Sequence, residues 1–197
     1  MRQFLHGWNR TSANTPYKSI SSTNQEIRLA VLAPGDYDDA IVIELHIKKL
    51  SRDISTEYDA LSYAWGQEMC PNRAVLNGKL ISIGENLDCA LRHLRHRNRK
   101  RKLWVDALCI DQINTLERNS QVQLMDRIYS TAHRVIIWLG PANDDDVKVV
   151  HYMRGEVKMR LWNAYWHRAL INICKRSWFS RVWVVSTLCM HRMCMRH

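Results

Sequence analysis

The chain has 197 residues, 46% of them hydrophobic, with eight tryptophans and a formal charge of +10 at pH 7. That length suits one ordinary domain with a tail, the apolar content is that of a globular protein, and no apolar run reaches the roughly 18 residues a membrane-spanning helix needs. The excess of Lys and Arg is compatible with an anionic partner, nucleic acid or a membrane surface among them.

Residues 1–25 contain no Asp or Glu and are rich in Ser, Thr and Asn. They lack the apolar core of a secretory signal and read as a disordered polar tail, in preference to a mitochondrial presequence of the same composition. The six cysteines are Cys70, Cys89, Cys109, Cys174, Cys189 and Cys194. Cys89 and Cys109 fall inside apolar patterns where a reduced thiol packs as a small hydrophobe, so an intracellular, cytoplasmic protein is expected.

Order is expected from Glu26 onward. IRLAVL (27–32) and AIVIELHIKKL (40–50) flank the turn-forming APGDYDD and predict an N-terminal β-hairpin. In YDALSYAWG, Leu61, Tyr63 and Trp65 alternate with small residues, which predicts a strand with both faces covered. AVLNGKLISIG (74–84) places Asn77-Gly78 between two β-rich runs, a strong hairpin signal. ENLDCALRHLR then sets Leu87, Ala90, Leu91 and Leu94 at helical spacing.

KLWVDALCI (102–110) and RVIIWLG (134–140) are near-continuous apolar runs of the kind found in parallel strands buried on both faces. A helix from Leu116 to Ala132 separates them, so a βαβ crossover is expected and the fold class is α/β. DDDVKVVHYM starts a further helix, and amphipathic pieces at 161–174 and 177–189 complete the pattern. The aromatic-rich stretch with Trp162, Tyr165, Trp166, Trp178, Phe179 and Trp183 is read as core in preference to interface.

Projected at about 100° per residue, the 116–132 helix buries Val122, Leu124, Met125, Ile128, Tyr129 and Ala132. Glu117 and Gln121 fall inside that apolar arc. Glu117 lies three residues after Asn114 and can close a capping box. Asp106, in an expected buried strand, needs donors, because an unpaired buried carboxylate is costly. Ligands of α/β sheets sit beyond the carboxyl ends of strands, where Cys109 to Gln112 belong. Asp106, Asp111, Glu117 and Gln121 are therefore expected to line or brace one crevice, with Tyr63 and Trp65 as candidate binding residues. The basic run RHLRHRNRKRK (92–102) lacks interleaved aromatics, so it is read as a solvated helix end and no specific nucleic-acid partner is expected.

YDALSYAWG, LNGKLISIGENLDCALRHLR, LWVDALCIDQINTLERNSQVQLMDRIYSTAHRVIIWLG and SWFSRVWVV resemble, in order and spacing, the signature blocks of the heterokaryon incompatibility (HET) domain of filamentous fungi. The resemblance covers roughly 27–187, so 26–187 is expected to be a HET-like domain and 188–197 an atypical basic tail, read as truncated. It implies nonself recognition and cell-death signalling through a protein partner or self-association. It also implies a TIR-like, flavodoxin-like layered fold with a largely parallel central sheet and helices on both faces. Enzymatic TIR domains cleave NAD using a glutamate four residues after a tryptophan. HET domains commonly end in a similar Arg-x-Trp-x-x-Gln-Glu; here Arg181 and Trp183 are present, but Ser186 and Thr187 stand at the Gln-Glu positions. Threonine cannot supply the carboxylate that glycosidic cleavage uses. The expectation is an interaction module without catalysis and without a cofactor, NAD being a substrate only if activity survives. A TIR-like NAD glycohydrolase and a non-functional relic are the alternatives. Cys189, His191, Cys194 and His197 match no common zinc spacing, and no metal site is expected.

Overall fold

The computed structural model of the chain describes residues 15–51, 58–66, 73–153 and 164–180. The strands are β1 (Glu26–Leu32), β2 (Ile41–Lys49), β3 (Asp59–Tyr63), β4 (Arg73–Leu76), β5 (Lys79–Ser82), β6 (Arg101–Trp104) and β7 (Arg134–Trp138). The helices are α1 (Glu85–Leu94), α2 (Asp106–Cys109), α3 (Thr115–Thr131), α4 (Asp144–Met153) and α5 (Ala164–Cys174), followed by a 3-10 turn at Ser177–Ser180. All seven strands form one sheet in the order β5-β4-β2-β1-β6-β3-β7.

The α/β class is as expected, but the sheet is mixed. β6-β3-β7 is a parallel block and β4 pairs parallel with β2, whereas β1-β2, β1-β6 and β4-β5 are antiparallel. The largely parallel sheet is thereby corrected. Two of the three antiparallel pairs have a local reason: both hairpins expected from sequence form, and each imposes an antiparallel pair, while β1–β6 is a long-range pairing. The second hairpin turns on Asn77 and Gly78, whose φ of 49° and 75° are the left-handed values an Asn-Gly turn supplies.

Parallel β6 and β7 are joined through α3, with β3 lying between them. Register assigns the helices to opposite faces of this block. Leu103 pairs with Asp59 and Trp104 with Ala60, so Asp59 and Trp104 face opposite ways. The Arg101 guanidinium, on the Asp59 face, reaches the Leu94 carbonyl at the end of α1. On the other face the Trp104 ring meets Tyr129 of α3 edge-on, and the Trp178 indole N–H donates to the Ser62 hydroxyl. Trp178 is thus core, as expected for the aromatic-rich stretch, but Phe179 next to it is 41% exposed and is not; Trp162 and Trp183 lie outside the described residues.

Two further differences concern α2 and α3. The run 102–110 is not one strand: β6 stops at Trp104 and Asp106 opens the short helix α2. On α3, Ile128 and Ala132 are buried as expected, but Val122 is 42% exposed. Within the segment expected to be a disordered tail, Pro16 and Tyr17 are buried, whereas Lys18, Ser19 and residues 22–24 are exposed. The rest of the expected pieces at 161–174 and 177–189 lies outside the described residues, as do residues 1–14.

The amino ends of the parallel block are tied by charge. β3, β6 and β7 begin with Asp59, Arg101 and Arg134. The Asp59 carboxylate accepts from Arg101 at 2.9 Å and from Arg134 at 2.9 and 3.0 Å. Much of the basic run serves the fold as well. Arg92 pairs with Asp88, and Arg95 donates to the carbonyls of Asp36, Tyr37, Asp39 and Ala40, pinning the β1–β2 loop.

Candidate functional site

The carboxyl end of the parallel block collects the residues singled out in the sequence. β3 runs out through Tyr63 into Trp65, and β6 runs out through Trp104 into Asp106. Tyr63 is buried beside Trp138 of β7, whereas Trp65 leaves the sheet and is 37% exposed. The Trp65 indole N–H donates to Asp106 Oδ2 at 2.9 Å, and the Ala107 amide donates to Asp106 Oδ1 at 2.8 Å. These bonds answer the cost of burying Asp106: a side chain at the first position of a helix meets amide donors that a strand would have spent on its neighbour.

After α2 the connector 110–114 folds back on the same group. Gln112 Nε2 donates to the Asp106 carbonyl at 2.9 Å, and Asp111 Oδ1 accepts from the Ile113 amide in a local turn. Asn114 caps α3, its side chain accepting from the Glu117 amide at 3.1 Å. This is one half of the capping box anticipated in the sequence. The other half is absent, because the Glu117 carboxylate turns inward.

There it meets Arg28, which sequence reasoning overlooked. Arg28, 1% exposed, donates to Glu117 Oε1 at 2.6 Å and to Glu117 Oε2 at 2.9 Å. It also donates to the Cys109 carbonyl at 3.0 Å and, twice, to the Lys18 carbonyl. Glu117 Oε1 accepts in addition from the Asp111 amide at 2.8 Å. The only sequence signal for Arg28 was a charge amid the apolar IRLAVL, which demands a buried anion. Gln121, 1% exposed, donates to the Glu26 carbonyl at 2.9 Å and so fastens α3 to the start of β1.

Four of the six candidates thus fall into two linked clusters, while Tyr63 and Gln121 stand outside them. Asp106 and Trp65 form one, with Gln112 behind them; Glu117, Asp111 and Arg28 form the other, and the 106–117 segment joins the two. Gln121 stands one turn further along α3. Both oxygens of Asp106 and of Glu117 accept hydrogen bonds from the protein. The surface this leaves to a ligand is the half-exposed Trp65 ring, held at its N–H.

Cys109, at the end of α2, is fully buried, and burial pushes its thiol up to about 12. It is therefore a packing residue at neutral pH. Among the described residues no group of three or more His, Cys, Asp or Glu is placed to hold a metal ion. Among them too, no helix is long and apolar enough to cross a membrane. Arg181, Trp183, Ser186, Thr187 and the Cys/His ending lie outside the described residues.

No solved structure gives a significant match to the chain. The family model described as "Heterokaryon incompatibility protein (HET)" matches residues 58–186, which contain Trp65, Asp106, Asp111, Glu117 and Gln121. Heterokaryon incompatibility protein 6, OR allele, of Neurospora crassa is 36% identical over 146 residues. That alignment takes in 67% of this chain and 21% of the relative, so the chain spans about a fifth of the relative's length. With the family model covering well over half of the sequence, the chain belongs to the heterokaryon incompatibility (HET) family.

Proposed function

We propose that this chain is an interaction module of fungal heterokaryon incompatibility, acting in the cytoplasm through self-association or a protein partner in nonself recognition that ends in cell death. The single observation that carries the non-catalytic part of this reading is the engagement of Asp106 and Glu117. A general acid or a nucleophile needs an oxygen within reach of substrate, whereas these oxygens are spent on Trp65, Ala107, Arg28 and Asp111. Their work is to fix the 106–117 segment. The finer TIR-like, flavodoxin-like reading of the fold draws on the parallel block β6-β3-β7 with helices on both faces.

The test pairs two measurements. Sedimentation velocity of the purified chain is expected to show concentration-dependent association, weakened by Trp65→Ala. A chain that stays monomeric at every concentration sinks the self-association reading. Incubation with NAD is expected to release no nicotinamide from the natural chain. Release by a Ser186→Gln/Thr187→Glu variant would mean a disarmed TIR-like site, and release by the natural chain would overturn the non-catalytic reading.

A further inference from the structure

Residues 15–18 cross the sheet ahead of β1 without joining it as a strand. They are held by side chains that reach for their carbonyls. Lys79 Nζ donates to the Thr15 carbonyl at 3.0 Å, Asn77 Nδ2 to the Pro16 carbonyl at 2.8 Å, and Arg28 Nε to the Lys18 carbonyl at 3.1 Å. The Tyr17 ring lies under the Arg28 guanidinium, 5.0 Å from its carbon, in cation–π contact. Lys18 and Ser19 are exposed where this segment turns toward β1.

Arg28 is consequently shared. One side of its guanidinium grips the segment, and the other grips the Cys109 carbonyl and Glu117. From Glu117 the contacts continue through the Asp111 amide, and from Gln112 to the Asp106 carbonyl; the Asp106 carboxylate in turn holds the Trp65 indole. Each link is a hydrogen bond to a group whose alternatives are buried, so loss of one donor is felt by the next acceptor.

We infer that residues 15–18 form a displaceable strap whose docking sets the order of the 109–117 connector and, through it, the posture of Trp65. The strap is suited to this because it has no ladder to unzip: a partner that draws off its carbonyls competes with three side chains and must part the strap's own Tyr17 ring from Arg28. When it leaves, Arg28 loses two hydrogen bonds and its aromatic cover, gains water, and holds Cys109 and Glu117 less firmly. The inference rests on the reading of Trp65 as a contact surface only for its biological meaning; the coupling itself is a property of the fold.

Hydrogen exchange of the full chain measures the coupling directly. Tyr17→Ser is expected to speed exchange in residues 15–20 and also in 109–117 by about tenfold, the effect of losing one desolvated cation–π contact, while α1 is unchanged. Lys79→Ala, which touches only the far end of the strap, is expected to give the same pattern more weakly. Strap opening with no change in 109–117, in either variant, overturns the coupling. If Tyr17→Ser speeds exchange everywhere, Lys79→Ala decides: a change confined to the strap and connector supports the inference, and any other pattern overturns it. Sedimentation of Trp65→Ala, described above, tests the contact surface separately, so failure of that reading is not confused with failure of the coupling.

Discussion

Arg28 of β1 and Glu117 of α3, 89 positions apart, meet in a two-pronged ion pair with side-chain exposures of 1% and 8%. Glu117→Gln leaves a buried guanidinium without its counter-charge, and breaking such a pair costs about 3–5 kcal/mol. Arg28→Met/Glu117→Leu removes both charges together and is expected to cost much less than the two single changes summed. Urea unfolding of the four proteins of that cycle supplies the check; additive losses would mean that the pair is not coupled.

Asp59 is expected to be a second stability determinant. Asp59→Asn withdraws the anion from Arg101, whose side chain is 11% exposed, and from Arg134, which is 31% exposed. Because water can reach Arg134, the loss should fall near the lower end of the range for a broken buried pair, about 3 kcal/mol. Arg134→Ala should cost about 1 kcal/mol, and an equal loss from both variants would contradict this account.

Gly78 offers a backbone test without a packing component. Its φ is +75°, and a Cβ placed there meets nothing within 4 Å. Gly78→Ala should therefore cost about 1 kcal/mol through left-handed strain alone. Asn77→Ala should cost more, because its side chain also accepts from the Leu45 amide and donates to the Pro16 carbonyl.

Cys109 predicts an alkaline limit. Its thiol is raised by burial from an ordinary 9.0 to about 12, so the folded chain keeps the proton more tightly than the unfolded one. The sign follows from linkage: stability on this account is intact below pH 9.0 and falls as pH climbs toward about 12, by about 1.4 kcal/mol per pH unit. Unfolding curves from pH 8 upward should show that slope, and Cys109→Ala should flatten it. At pH 8 a thiol reagent should label exposed Cys174 and spare Cys109.

Local rules carried the reading of the sequence far. The Asn77-Gly78 hairpin, α1, the α3 crossover and β7 follow from turn chemistry and periodicity, which act within a few residues. What escaped depends on partners distant in the chain. Nothing near Arg28 announces Glu117, and nothing in RAVL announces that β4 pairs parallel with β2. The strand expected through Asp106 gives way to α2, because a buried strand and a one-turn helix have the same composition over so few residues. Glu117 and Gln121 are legible as polar groups in the apolar arc of α3, but Arg28 and the Glu26 carbonyl that they meet belong to β1, which periodicity in α3 cannot reveal.

The place of β3 in the sheet has a consequence for how the chain is made. β3 is completed by Tyr63, yet the neighbours that flank it, β6 and β7, begin only at Arg101 and Arg134. During synthesis its buried residues must wait for strands some forty and seventy positions downstream, while the β1–β2 hairpin can close at once. The emerging chain thus holds an apolar strand with neither neighbour formed, the kind of exposed strand that aggregates before it can pair.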